Sequence, residues 1–227
     1  MKPLPLVVLS LVCALGPVAF GQESKTGDES KKYTKDSKAV DILKAADAAT
    51  KKVDFVRYHA SVKGLGPMAQ FVPAAEGTVV AKGEWRTSAY KFRVMSEMAS
   101  PDGEGKVKYT VGSDGDVFYF VDMKSKTAYE DIDPAVIGRT GGRASGIQMV
   151  EFNHPAPFSD EINGKAVELR GTESVGGVDC DVVHVVYASA AQEATWYFGK
   201  DDHLPRRVIR TRPMGNGVTG ETEQVIT

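Results

Sequence analysis

The sequence predicts an α+β fold that is mainly antiparallel β, and three features predict it. One stretch, roughly 38 to 51, repeats apolar side chains at helical spacing through Ala39, Ile42, Leu43, Ala46 and Ala49. The pattern then switches to a period of two, and eleven strand-like stretches follow, most of them divided by short Gly- and Asp-rich connections, so sequence neighbours pair antiparallel. Among them Asp114-Gly115 reads as a hairpin turn whose two central positions take positive φ. It feeds a strand that is apolar on both faces, with Val117, Tyr119 and Val121 on one side and Phe118 and Phe120 on the other. Such a strand must be covered twice, by packed elements or by an enclosed apolar space.

Taken in order, the first residues have the layout of an export signal. Lys2 gives a positive start, Leu4 to Leu15 an apolar stretch, and Ala19-Phe20-Gly21 small residues at a cleavage position. Residues 1–21 are therefore expected to be removed, leaving a mature chain that begins at Gln22 in a periplasm. The apolar run is shorter than the ~20 residues of a bilayer-spanning helix. Ser10-Leu11-Val12 lacks the small residue that adjoins a lipid-modified cysteine, which argues against lipidation of Cys13. Residues 22–37 mix lysines and acids around a single large apolar group, Tyr33, and read as a disordered polar leader. The folded domain is expected over 38–227, with Ser37 as the N-cap of its helix.

Composition limits the function classes. The formal net charge of the 227 residues is −2, and it is close to −3 without Lys2, so there is no overall basic footprint for nucleic acid or an anionic membrane. Membrane contact is expected to be transient at most. Cys180 is the only cysteine beyond the leader, which leaves no intrachain disulfide and makes packing the source of stability.

After the helix, Val56, Tyr58, Ala60 and Val62 share one face of a first strand, and Phe55, Arg57, His59 and Ser61 the other. Strands follow at about 75 to 83, 88 to 97, 105 to 112, 116 to 122 and 126 to 131. Asp133 to Phe152 then breaks the run, with helical pieces at Pro134-Ala-Val-Ile137 and Ser145-Gly-Ile-Gln-Met-Val-Glu-Phe152. This segment is expected to be a flap, hinged by glycines that include Gly141 and Gly142, with an apolar underside of Ile147, Met149, Val150 and Phe152. An irregular connection is the alternative. Its glycines lack the Gly-Lys-Ser/Thr ending of a phosphate loop. Strands resume at about 165 to 174, 178 to 188, 192 to 199, 204 to 212 and 218 to 226. Because Glu223-Gln-Val-Ile-Thr227 stops inside a strand, a final strand or a further domain is expected beyond Thr227.

Several of these stretches carry a resemblance. Lys52-Val-Asp-Phe-Val-Arg-Tyr-His-Ala-Ser-Val62 resembles the first strand of the periplasmic lipoprotein-carrier superfamily that includes LolA, LolB and the sensor domain of RseB. Glu76-Gly-Thr-Val-Val80 and Tyr90-Lys-Phe-Arg-Val94 resemble its next pair, and Ser113-Asp-Gly-Asp-Val-Phe-Tyr-Phe120 its central hairpin. Gly177-Val-Asp-Cys-Asp-Val-Val-His184 and Thr195-Trp-Tyr-Phe-Gly-Lys-Asp-Asp-His-Leu-Pro-Arg-Arg-Val208 are similar to a subfamily of predicted exported proteins without an assigned activity. Some of that subfamily are joined to a thioredoxin-like domain. The resemblance covers about 38 to 227. It implies a curved, incomplete β-barrel of about 10–11 strands, closed by an N-terminal helix and short inserted helices around a hollow that holds acyl chains or another apolar ligand. The carrier subfamily has an Arg-Pro pair after its third strand segment, whereas Gly83-Glu-Trp-Arg-Thr-Ser-Ala-Tyr90 has no Pro. The resemblance thus implies apolar-ligand binding rather than lipoprotein sorting itself.

Trp85, Phe92, Phe118, Tyr119, Phe120 and Trp196 are the expected aromatic lining of the hollow. Cys180 and His184 lie four apart on one strand face, more than ~13 Å from each other, too far for a nucleophile and its base. Cys180 reads as a small core residue. His59, His154, His184 and His203 sit on separate elements without metal-ligand spacing, and Asp201-Asp202-His203 reads as a solvated turn. Arg206 and Arg207 point to opposite faces of their strand. No cofactor, metal or catalytic group is expected. The sequence therefore predicts an exported, non-catalytic domain that binds an acyl chain or similar apolar ligand in a half-barrel hollow, as a lipid or lipoprotein carrier or sensor. The alternative is a protein-interaction domain with a filled core, serving a periplasmic partner of thioredoxin-like redox type.

Overall fold

The computed structural model describes residues 33–85, 87, 89–100, 104–188, 192–215 and 217–227, which form a single compact unit. The expected signal segment 1–21 and most of the expected leader lie outside the described residues. One helix, α1 (Ser37–Thr50), is followed by eleven strands: β1 (Phe55–Leu65), β2 (Ala75–Lys82), β3 (Lys91–Ala99), β4 (Lys106–Ser113), β5 (Phe118–Asp122) and β6 (Thr127–Asp131), then β7 (Ala166–Val175), β8 (Val178–Val186), β9 (Glu193–Gly199), β10 (Pro205–Gly215) and β11 (Val218–Ile226). All eleven belong to one sheet in the order β6-β5-β4-β3-β2-β1-β11-β10-β9-β8-β7, and every pairing is antiparallel. Two hairpin meanders thus meet at a central seam, where β1 pairs with β11 from Ala60↔Ile226 to Leu65↔Glu221. The outermost strands β6 and β7 stand at opposite edges, so the sheet is not closed into a barrel.

One face of this sheet is apolar from edge to edge. Val79, Val94, Val111, Val183, Val185, Trp196 and Val208 are fully buried in a single core that also contains Ala39, Leu43 and Ala46 of α1. The remaining cover comes from the connection between β6 and β7. It contains α2 (Gly138–Ala144), α3 (Ser159–Ile162) and three 3₁₀ turns, at Pro134–Ile137, Ser145–Ile147 and Val150–Asn153. Ile147, Met149, Phe152 and Phe158 of this covering segment are buried against the sheet. Phe158 meets Trp196 and Phe198 edge-on, each with ring centroids 5.1 Å apart.

Four sequence expectations are corrected in detail. Asp36 rather than Ser37 caps α1, its side chain accepting from Lys38 N at 2.8 Å. The C-terminal part of the expected leader is ordered, since Lys35 bridges Val167 on the edge of β7 and Val167 N donates to Thr34 O. At Asp114-Gly115 only the glycine has positive φ, at 100°. The turn is centred one residue later than expected, on Gly115-Asp116: Asp114 N donates to Val117 O at 3.3 Å, and Asp114 Oδ1 accepts from both Asp116 N and Val117 N at 3.0 Å. Finally, β5 is not covered twice. Phe118 and Phe120 take the inward register opposite Ser113 and Val111, while Tyr119 and Val121 lie on the outer face among half-exposed side chains.

Because Phe158 is the largest group that the covering segment inserts beside Trp196, Phe158→Ala should lower the unfolding free energy by about 3–5 kcal/mol in urea denaturation, the cost of an aromatic cavity in a core.

Candidate functional site

The covering segment is held over the sheet by a short row of polar contacts from inward strand positions. The Tyr58 hydroxyl of β1 accepts from Met149 N at 2.7 Å, and Gln224 Nε2 of β11 donates to Ile147 O at 2.9 Å. Arg210 of β10 reaches Glu151 at 2.8 Å and Gln224 Oε1 at 3.2 Å. Gln148 donates to the Tyr90 hydroxyl. At the lower rim Trp85 N donates to Asn153 O at 2.7 Å, and Asn153 Nδ2 donates to Gly83 O at 2.8 Å. Burial in an apolar setting raises the Tyr58 and Tyr90 hydroxyls well above the usual phenol range, so both stay neutral donors and acceptors.

Two cavities open on either side of this attachment, and Trp85 lines both. The first, of about 370 Å³, is bounded by Trp85, Tyr90, Phe92, Phe118 and Gln148. The Tyr90 and Phe92 rings stack there at 5.4 Å. The second, of about 470 Å³, is polar and is bounded by Trp85, Glu151, His154, Glu161, Tyr187 and Arg210. Glu161 is buried, and desolvation pushes its carboxyl up to about 6 although the Tyr187 hydroxyl donates to it at 2.6 Å.

Of the six aromatic residues expected to line one hollow, the fold brings three together: Trp85, Phe92 and Phe118. Phe120 is buried one step away, stacked between Tyr109 and Tyr129. Trp196 is fully buried beneath Phe158, with the Arg210 guanidinium 5.0 Å from its ring. Tyr119 lies on the opposite face of the sheet, where its hydroxyl accepts from Arg93 Nε at 3.3 Å. Ile147, Met149 and Phe152 do form the apolar underside of the covering segment. Gly141 and Gly142, however, sit within α2, and a side chain at Gly141 would meet Ile137 at 2.4 Å. The positive-φ glycine of this segment is Gly138, at 59°. Sequence reasoning did not single out Tyr58, Tyr90, Gln224, Arg210 or Glu161. Gln224 leaves one trace, as a polar group two residues from the apolar Ile226 on the same face of β11.

Cys180 is fully buried on the outer face with Val175, Val182 and Tyr197, and desolvation raises its thiol pKa. His184 points the same way, bonding Thr195 Oγ1 at 3.1 Å and lying 3.4 Å from Glu193, and burial lowers its pKa. Asp202 and His203 occupy the turn before β10, and Asp202 pairs with Arg206. Arg207 takes the other face, over Tyr197 and 2.7 Å from Glu223.

Two outcomes follow from these contacts. Glu161 has a folded pKa above its unfolded value, so its favourable contribution is complete below about 4.5 and is lost as pH rises through about 6. Glu161→Gln, which keeps the bond from Tyr187, should therefore match the wild type near pH 4.5 in thermal unfolding. At pH 7.5 it should exceed it by on the order of 2 kcal/mol. Tyr58→Phe leaves the buried Met149 N–H without its acceptor and should cost about 1–3 kcal/mol, with faster amide exchange over residues 147–153 measured by mass spectrometry.

Comparison with known proteins agrees on architecture. No family model matches the sequence, and no curated protein sequence does. Among solved structures, LprF from Mycobacterium bovis superposes with a TM-score of 0.56 at 9% identity, over 86% of this chain and 93% of that one. The lipoprotein LppX from Mycobacterium tuberculosis superposes with a TM-score of 0.53 at 13% identity, over 85% and 94%. A LolA superfamily protein from Nitrosomonas europaea aligns over 83% and 91% at 12% identity, with a TM-score of 0.32. The likeness to LprF and LppX is one of fold: a single open, antiparallel sheet covered on one face.

Proposed function

We propose that this chain is an exported, non-catalytic domain that takes an acyl chain of a lipid or lipoprotein between the inner face of its sheet and the covering segment, as carrier or sensor. The observation that carries this reading is the cavity at Trp85, Phe92 and Phe118, which opens beside a cover attached by a few discrete polar bonds. Its volume, about 370 Å³, falls at the lower end of small-molecule sites. Behind it lie Ile147, Met149 and Phe152, apolar groups that an acyl chain would replace one for one if the cover lifted about Gly138. The expected signal at 1–21 supports a periplasmic setting, and LppX, which shares the fold, is itself a lipoprotein.

One observation favours the second reading. The chain's own side chains, Phe158 and Met149 above all, fill the space between sheet and cover. A filled half-barrel suits an interaction domain that serves a periplasmic protein partner.

Native mass spectrometry of the protein recovered from a periplasm without detergent, followed by solvent extraction, separates the two. A stoichiometric lipid supports the carrier or sensor reading, and a fluorescent fatty acid should then bind at least about tenfold more weakly to Phe92→Ser and Phe118→Ser, a loss of about 1.4 kcal/mol or more. A bare protein mass together with no fatty-acid binding would transfer the assignment to the interaction domain.

A further inference from the structure

The outer face of β1 to β5 carries a feature that the inner site leaves unexplained. Its side chains form rows across the strands, one of Phe55, Lys82 and Lys91 and the next of Arg57, Val80 and Arg93. Four cations thus share a patch only three strands wide. None of them has an ion pair among the described residues. Lys82 and Lys91 are directly opposed partners in the β2–β3 ladder, an arrangement of like charges that costs stability. Two acids stand nearby. Asp114 is held by its own turn amides, with Lys91 adding a smaller attraction, and Glu130 pairs with Tyr119 across β5 and β6.

Large apolar groups are exposed in the same patch. Phe55 is 58% exposed and Met95 40%, and with Val80 and Tyr119 they line a shallow groove of about 940 Å³. Gly112 keeps this surface open, because a side chain there would fall 2.3 Å from the Tyr119 hydroxyl. The tyrosine ring therefore lies across β4 toward Arg93.

We propose that this face docks on an anionic membrane surface, with Arg57, Lys82, Lys91 and Arg93 on lipid phosphates and Phe55 and Met95 at the headgroup boundary. The opposed lysines are then a cost in solution that an anion removes. Every strand of the patch is paired on both sides, so no free backbone edge is offered to an incoming peptide. What the face does offer, diffuse positive charge with interleaved apolar tips, is the chemistry of an interfacial contact. The net charge of −2 conceals it because it averages the patch with the chain's acids, of which Glu76 and Glu97 at the far end of the same face pair with Lys106. The proposal does not depend on whether the interior accepts a ligand.

The test is co-sedimentation of the full chain, recovered from an exporting host, with vesicles of phosphatidylcholine alone and with added phosphatidylglycerol. Binding should require phosphatidylglycerol and weaken as salt is raised. Lys91→Glu places opposite charges across the β2–β3 ladder, so it should raise the unfolding midpoint while weakening vesicle binding at least about tenfold. Phe55→Ser should weaken binding and leave its salt dependence unchanged. Equal sedimentation with both vesicle types, or wild-type binding by Lys91→Glu, would overturn the proposal. Failure to bind vesicles combined with salt-sensitive binding of a poly-glutamate peptide would overturn it in favour of an acidic protein partner.

Discussion

The pairing of β1 with β11 determines most of what else this structure contains. It places β1 and β11 side by side at the middle of the sheet and drives β6 and β7 to the two ends. The chain must then travel from one edge to the other. At about 4.8 Å per strand that is on the order of 48 Å along the sheet, a distance no hairpin spans. The only productive route lies across the apolar face, where the crossing segment buries what would otherwise be open to water. The covering segment thus follows from strand order, and the small helices within it are short because they fit between fixed endpoints.

A cover laid over β-strands has few backbone groups to share with them, since the strands spend theirs on the ladders. Its attachment therefore falls to side chains. Tyr58, Gln224 and Arg210 project from inward positions that would otherwise hold aliphatic residues, and each meets a main-chain or carboxylate group of the cover. Tyr58 and Gln224 are buried and partnered, which makes their bonds strong while in place and costly to leave unmatched, and Arg210 is half-buried beside them. Glu161 shows the other side of this arrangement. It is held in a setting that disfavours its charge, next to Glu151 and within reach of Arg210. The attachment thus combines bonds that lock the cover with a carboxyl that strains it near neutral pH.

Much of the fold could be read from the chain. The helical period through Ala39, Leu43 and Ala46 located α1 to within a residue, and period-two alternation located all eleven strands, because each is governed by local contrasts between apolar and polar positions. Strand order across the seam was not legible, since nothing in Val56 to Val62 states that its second neighbour is Gln224 to Ile226. The site was legible only in part, for a related reason. Trp85, Phe92 and Trp196 are equivalent as residue types, and the difference lies in whether Phe158, far away in sequence, caps the ring. Asp114-Gly115 misled at the scale of a turn because the aspartate side chain, by accepting two amides, moved the turn one residue on to Gly115-Asp116.

The central seam also has a kinetic meaning. Neither meander completes the sheet alone: β1 keeps one unpaired edge until β11 arrives, and the apolar face of the first six strands stays open until the cover is anchored on both halves. Contacts this distant in sequence are reached late and give a folding reaction governed by loop closure rather than by local structure. During that interval β1 is an exposed template, and the pairing that finally protects it is made by β11, more than 150 residues further along the chain. The cohesion of the native sheet and the hazard of the half-folded one are therefore the same hydrogen-bonded ladder, seen before and after its final strand docks.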